Sequence, residues 1–156
     1  MKISSAQRVQ QCLLAHNHEN TIMSFPAGTR SAIDAAKAVG CRVEQIVKSM
    51  IFRSVDRPVL VLISGSNLVD ETKVSILLKA KIERADGRWV RDVTGFAIGG
   101  VAPIGHLVPP FILIDEDILP LPLIWAAAGS PMKVFSTSPS RLIEMTKGQV
   151  SDIRKN

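Results

Sequence analysis

Hydrophobic and polar positions along this chain repeat with the period of helices in some stretches and of strands in others. The helical period predicts helices over residues 5–16, 31–39, 43–49, 70–79, 87–93 and 138–148. Three of these ranges begin with a polar residue that can cap a helix N-terminus, namely Ser31, Asp70 and Ser138. Gly40 follows the second helix and is expected to end it.

Short apolar runs bounded by turn residues predict strands over residues 50–53, 59–63, 111–115 and 133–136. The run from Val59 to Ile63 is apolar at every position, which is typical of a strand covered on both faces. Helices and strands follow each other without regular βαβ alternation. The pattern therefore favours an α+β fold, with residues 1–156 forming a single domain.

Composition narrows the class of protein. With 46% hydrophobic and 21% charged residues, the 156-residue chain is not expected to be disordered or fibrous. Its two cysteines, Cys12 and Cys41, are too few for a disulfide framework. The N-terminal residues lack the apolar core of a signal peptide, and prolines and acidic residues interrupt the apolar stretch 107–128. We expect a cytoplasmic protein without a membrane partner.

The net charge of +5 is distributed unevenly. Six basic and three acidic residues lie between positions 30 and 57, and six basic and two acidic residues between 73 and 91. Residues 101–132 include three acidic residues and no Lys or Arg. If the basic residues converge on one face they suit a phosphate backbone, whereas spread over helices they form an ordinary solvated surface.

A glycine-rich loop over residues 99–106 is the most unusual stretch of the chain. Three glycines and Pro103 within eight residues permit main-chain N–H groups to converge on an anion, although a tight structural turn is the simpler interpretation. The loop lacks the spacing of known nucleotide-binding motifs. His106, at its end, is by itself more typical of a hydrogen-bonded structural histidine than of a catalyst.

Other candidate groups are sparse. Lys48 precedes a hydrophobic strand and could extend its ammonium into a cleft, although most lysines are simply solvated. His16 and His18 are two residues apart and would not share a helix face, so no metal site is predicted. The acidic run 115–117 could supply paired carboxylates or end a strand. No cofactor is expected.

Two separated motifs nevertheless resemble one family. Residues 35–52 contain the pattern AA…G…QI.KS..F, and residues 94–106 contain TGF..GGV.P.GH. Ile114-Asp115-Glu116 and Ala127-Ala128-Gly129 continue the match in the same order, over about residues 20–148. The chain thereby resembles the YbaK/prolyl-tRNA editing family, relatives of the editing domain inserted in bacterial prolyl-tRNA synthetase.

The resemblance implies a small α+β protein with a mixed, barrel-like sheet that hydrolyses the ester of mischarged tRNA in trans. The family's essential lysine corresponds to Lys48 and its conserved histidine to His106, which would either orient the loop or contact the substrate. The substrate-binding residues it implies are Ile46, Gly99, Gly100, Val101, Ala102, Pro103, Gly105, Asp115 and Gly129. Ala102 stands where serine is common in the family, so no hydroxyl is available there.

These residue types are consistent with ester hydrolysis, because an activated ester needs positioning and oxyanion stabilisation more than a protein nucleophile. The expected substrate is a tRNA, proline tRNA above all, carrying a small wrong amino acid such as alanine. A prolyl-tRNA synthetase is a second partner that the resemblance suggests. Two alternatives stay open: a non-catalytic module that binds tRNA or a synthetase, and a small-molecule binding protein that ignores tRNA.

Overall fold

The computed structural model describes residues 3–25 and 31–156. Five α-helices lie in these ranges: α1 Ser5–Ala15, α2 Ala32–Val39, α3 Glu71–Leu78, α4 Gly87–Thr94 and α5 Pro139–Thr146. The predicted N-caps are confirmed, since Ser31, Asp70 and Ser138 each accept a main-chain N–H three residues further on. Gly40 ends α2 with φ of 76°. None of the helices described combines the length and apolar character needed to cross a bilayer.

Eight strands form one mixed sheet within the described ranges. They are β1 Met23–Ser24, β2 Ile46–Ser54, β3 Arg57–Ser64, β4 Glu83–Arg84, β5 Phe111–Asp115, β6 Ile124–Ser130, β7 Lys133–Thr137 and β8 Gln149–Ser151. The strand order is β1-β7-β6-β2-β3-β5-β8, with β4 paired to β2. Strands β2 and β3 are antiparallel, whereas β2 runs parallel to β6 and β3 parallel to β5. The predicted α+β class with a mixed sheet is confirmed.

The centre of the sheet is β3, which is covered on both faces as its uninterrupted apolar run predicts. Leu60 and Leu62 belong to the larger core cluster, which also contains Val47 and residues of the glycine-rich loop. Val59, Val61 and Ile63 belong to a second cluster on the opposite face, with Val74 of α3. Because neighbouring residues of a strand point to opposite faces, one short segment stabilises both layers.

The predicted helix over residues 43–49 is wrong. A single 3-10 turn, Val43–Gln45, leads directly into β2, whose first two residues pair with β6 and whose residues 47–54 pair with β3. The apolar residues Val43, Ile46 and Val47 match a helical spacing, but Ile46 and Val47 are buried on opposite faces of a strand. Pairing on both sides of the strand outweighs the local helical pattern.

Candidate active site

Lys48 lies near the start of β2, opposite Ile63 of β3. Its side chain shares a face of the strand with Ile46 and Met50, because side chains alternate along a strand. Val47 and Ile51 point to the other face, where they pack in the larger core cluster with Val101 and Ala102 of the glycine-rich loop. The lysine and the loop therefore lie on opposite sides of the same strand.

One edge of β2 is open between two short partners. On the side away from β3, β6 pairs with Ile46 and Val47, and β4 pairs with Phe52 and Arg53. In the described part of the chain, no strand pairs with residues 48–51 on that side. Residues 48–51 at this gap line a cavity of about 610 Å³, together with residues of β4, β6 and other elements.

The cavity extends around the open edge from one face of β2 to the other. Ile46, Lys48, Gly99 and Val101 are the predicted site residues that line it. Its wall also includes Met50, which we expect beneath the Lys48 stem, and residues that sequence reasoning did not single out, among them Ser49, Glu71, Arg84, Trp125 and Lys155. Trp125 is recognisable in the sequence as an isolated aromatic residue before a run of alanines, but its place beside Ile46 follows only from the pairing of β2 with β6.

Main-chain polar groups of β2 point into this gap. The carbonyl of Ile46 accepts a hydrogen bond from Gly65 N–H at 2.6 Å, so even-numbered residues of β2 direct their N–H and C=O groups toward β3. The main-chain groups of Ser49 and Ile51 consequently face the open edge. The Ser49 hydroxyl is also buried without a hydrogen-bond partner among the described residues. The edge thus offers donors and acceptors to a bound molecule.

The Lys48 ammonium is partly buried and donates to the main-chain carbonyl of Asn67, with Nζ 2.5 Å from the oxygen. Burial lowers the pKa of Lys48 below its usual value, and the negative charge of Asp115 opposes that shift. An ammonium has three N–H donors, and Asn67 takes up one of them. Lys48 lines the cavity, and in the described part of the chain its ammonium makes no second hydrogen bond, so two donors are left for a bound molecule.

The glycine-rich loop begins with a tight turn in which Gly100 N–H donates to Ala97 C=O at 2.9 Å. Gly99 occupies the third position of this turn with φ of 93°, a conformation that residues with a Cβ rarely adopt. Gly100 is buried against the Ser130–Pro131 turn, where an added Cβ would come within 3.0 Å of Ser130 Cα. The N–H of Gly100 closes the turn, and its lack of a side chain permits the close contact with residues 130 and 131, so Gly100 serves the packing of the loop.

The far end of the loop is held from α1. Arg8 donates from Nε to the carbonyl of Gly105 at 2.6 Å and from its guanidinium to the carbonyl of Gly95 at 2.9 Å. The guanidinium carbon also lies 4.7 Å from the centre of the Phe96 ring. These contacts connect the first helix to both ends of the segment 95–105.

His106 lies behind the loop and does not line the cavity. Its Nε2 is 2.6 Å from the Ala102 carbonyl, and its ring meets Phe96 edge-on with the ring centres 5.1 Å apart. Burial lowers the pKa of His106, the bond to Ala102 counteracts this, and the nearby Arg8 charge lowers it further. Of the two roles that the resemblance implies, this placement favours orientation of the loop.

The remaining predicted substrate-binding residues do not line the cavity. Ala102 and Asp115 are fully buried, and Pro103 is also buried. Gly105 is held by Arg8, and Gly129 packs against the start of α1, where its carbonyl accepts from the Ser5 hydroxyl at 2.6 Å. For these residues, as for Gly100, the geometry indicates support of the site, and direct contact with a substrate stays a prediction.

Comparison with known proteins agrees with this architecture. The profile of the aminoacyl-tRNA editing domain family matches residues 26–145. A crystal structure described as that of a candidate trans-editing enzyme for prolyl-tRNA synthetase superposes with a TM-score of 0.93, at 40% identity over 100% of both chains. The chain belongs to the aminoacyl-tRNA editing domain family, as the sequence motifs predict.

Individual relatives vary in size. YwhH of Bacillus subtilis, a protein without an assigned function, is 27% identical over 135 residues, which is 86% of each chain. The proline–tRNA ligase of Caldicellulosiruptor saccharolyticus is 41% identical over 95 residues, which is 60% of this chain and 16% of the ligase. The similarity to the ligase therefore concerns one segment of a much larger enzyme.

Proposed function

We propose that this protein is a trans-editing deacylase that hydrolyses the ester of mischarged tRNA, with proline tRNA carrying alanine as the preferred substrate. The observation that carries the proposal is the position of Lys48 on the wall of a cavity at an open strand edge, in a chain of the editing domain family. The similarity to prolyl-tRNA synthetases supports the choice of tRNA.

The cavity suits the end of an aminoacyl-tRNA. Its volume of about 610 Å³ falls within the range of about 300–1,000 Å³ typical of small-ligand pockets. It would therefore receive the terminal adenosine and its aminoacyl group, while the rest of the tRNA stays outside. Cognate proline must be rejected by shape, because a pocket cannot repel a slightly larger residue without a clash.

The chemistry needs no protein nucleophile. Water attacks the ester carbonyl carbon and the bond to the ribose oxygen breaks. One proton of the water goes to the ribose oxygen, which leaves as the terminal hydroxyl, and the other is released to solvent as the amino acid departs as a carboxylate. Negative charge develops on the carbonyl oxygen in the transition state, where the Lys48 ammonium stabilises it. The free hydroxyl of the terminal ribose would orient the water.

Basic residues near the cavity suit the tRNA backbone. Arg88 and Arg91 of α4 line a neighbouring depression of about 400 Å³, and Ile98 borders both this depression and the main cavity. Neither arginine forms an ion pair with a carboxylate in the described chain, whereas Arg42, Arg53, Lys73 and Arg84 do. Arg30, another of the predicted basic residues, lies outside the described residues.

The test is a panel of tRNAs charged with correct and incorrect amino acids, incubated with the protein and scored for loss of the aminoacyl group. The expected result is hydrolysis of alanine from proline tRNA and survival of the cognate prolyl ester. Hydrolysis of another ester would reassign the substrate. If no ester is hydrolysed although tRNA binds, the protein is a binding module. If tRNA does not bind, it is a receptor for a smaller molecule.

A further inference from the structure

The Lys48 ammonium is connected to a buried carboxylate through one intervening residue. Asp115, at the end of β5, is fully buried and accepts at Oδ2 from Ser64 N–H at 3.0 Å and from the Asn67 amide at 2.8 Å. Its other oxygen accepts from Asp117 N–H at 3.0 Å. Hydrogen bonds to both oxygens fix the orientation of this carboxylate.

Asn67 is held on two sides. Its amide nitrogen also donates to Asp117 at 2.9 Å, so the two N–H donors of the amide both meet carboxylate oxygens. Its main-chain N–H closes a turn with the carbonyl of Ser64 at 2.9 Å. The peptide carbonyl that receives the Lys48 ammonium is therefore anchored through the side chain and the main chain of the same residue.

We propose that Asn67 is a positioning residue, held by Asp115 and Asp117, that fixes the Lys48 ammonium at the cavity wall. A carboxylate in direct contact with the ammonium would neutralise it and compete with the substrate for its donors. The neutral carbonyl of Asn67 orients the ammonium while occupying a single donor. The charge of Asp115 acts from behind Asn67 and favours the protonated lysine.

Among the described residues, three other charged side chains lie at the cavity of Lys48. Glu71 of α3, Arg84 of β4 and Lys155 near the C-terminus line the same cavity, and Glu71 is paired with Arg84. Behind Asn67, Asp117 is paired with Arg154. Asp115 has no ion pair within the described chain, and it is the charge that favours the protonated form of Lys48. Removing that charge should therefore let Lys48 lose its proton at lower pH.

The kinetic test is a double-mutant cycle with alanine-charged proline tRNA in single turnover, and this part rests on the proposed function. Asn67→Ala removes both amide donors but keeps the peptide carbonyl. We expect it to slow the chemical step by about tenfold to a hundredfold, the scale of a small misplacement of a catalytic group, with tRNA affinity unchanged. Adding Asn67→Ala to Lys48→Ala should slow the reaction no further.

Glu116→Gln is the matched control, because Glu116 lies beside Asp115 and contacts Arg154 but not Asn67. It should keep the wild-type rate. A wild-type rate for Asn67→Ala, or losses that multiply in the double variant, would overturn the proposal.

The second measurement needs no tRNA. Brief acetylation with acetic anhydride across a pH series, followed by peptide mass spectrometry, gives the pH at which Lys48 becomes reactive. Asp115→Asn should move that midpoint to lower pH, and Glu116→Gln should leave it in place. If Asp115→Asn folds and the midpoint does not move, the proposed connection is wrong, whatever the protein does to tRNA. If the midpoint moves in a protein without deacylase activity, the positioning holds and the proposed function fails.

Discussion

Nε2 of His106 lies 2.6 Å from the carbonyl oxygen of Ala102, so the end of the glycine-rich loop is bonded to its middle. A carbonyl oxygen only accepts hydrogen bonds, which means that Nε2 carries the proton and donates it. Nδ1 is buried and has no partner in the described chain. A second proton on this ring would therefore place an unpaired charge in the interior, close to Arg8.

This geometry predicts a pH-dependent stability. The folded-state pKa of His106 is lowered, so the unfolded chain binds a proton more readily than the folded chain. The free energy of unfolding is therefore at its full value above about pH 6.5, the pKa of histidine in the unfolded chain, and it declines as the pH falls below that value. Thermal unfolding between about pH 8 and pH 5 should show this decline in the wild type and a smaller one in His106→Gln. His16→Gln should follow the wild type, and parallel curves for all three proteins would contradict the assignment.

Replacement of Lys48 is the most direct test of the site. Lys48→Ala should fold normally, since it removes a single hydrogen bond worth about 1 kcal/mol, but should slow deacylation by about a hundredfold or more, as expected for removal of one group that stabilises an oxyanion. Lys48→Arg should restore only part of the rate, because a planar guanidinium does not replace a compact ammonium. Single-turnover deacylation and circular dichroism provide the measurements.

Lys37→Ala is the control for this experiment, because Lys37 is an exposed lysine in the last turn of α2. It should behave as the wild type. A near-normal rate for folded Lys48→Ala would remove the basis for a catalytic lysine.

Gly100→Val should abolish or strongly reduce deacylation. The valine would collide with the Ser130–Pro131 turn, with the added Cβ 3.0 Å from Ser130 Cα and 3.1 Å from Pro131 N. Such overpacking costs about 1–3 kcal/mol and shifts the backbone, which would displace the neighbouring cavity residues Gly99 and Val101. Melting temperature and rate should therefore fall together.

Gly87→Ala is a suitable comparison for Gly100→Val. Among the described residues, an added Cβ at Gly87 meets only Ile98 Cδ1, at an ordinary 3.5 Å. That variant should keep both stability and rate. Full activity in a stable Gly100→Val protein would show that the loop tolerates movement and does not shape the site.

Binding of tRNA should depend steeply on salt. Each phosphate contacted contributes a slope of about −0.7 to −0.9 to a plot of log affinity against log salt concentration. Arg88→Ala and Arg91→Ala should each make this slope less steep by about the contribution of one phosphate contact. Lys147→Asn is the control, because Lys147 follows the last residue of α5 and is not among the residues that line the cavity, and it should leave the slope unchanged. Fluorescence anisotropy with labelled tRNA measures all four slopes, and a salt-independent affinity would exclude backbone recognition.

Local sequence signals predicted much of the fold. Caps at Ser31, Asp70 and Ser138, and the apolar run of β3, act through nearest neighbours and can be recognised without a structure. Strand β6 was missed because its alanines and glycine have little strand propensity and are held by pairing with β2 and β7. Strands β1 and β4 have two residues each, too few to show a period.

The part of the site that lies within continuous sequence motifs was predictable, and the part that depends on long-range pairing was not. The motifs identified Lys48 and the glycine-rich loop, which both line the cavity through Lys48, Gly99 and Val101. The contribution of Ser49 was not apparent, because an unpaired strand edge depends on where β4 and β6 stop pairing with β2. The link from Asp115 to Lys48 joins residues 67 positions apart and is invisible to any local pattern.

The gap in the pairing of β2 makes strand length a determinant of cavity size. Four residues, 48–51, lie between the positions paired with β6 and those paired with β4. At about 3.3 Å per residue this opening is about 13 Å long. One more paired residue at either end would shorten the opening by about 3.3 Å. Substrate size in such a fold can therefore change through insertions and deletions in connecting loops, at positions that no comparison of active-site residues would reveal.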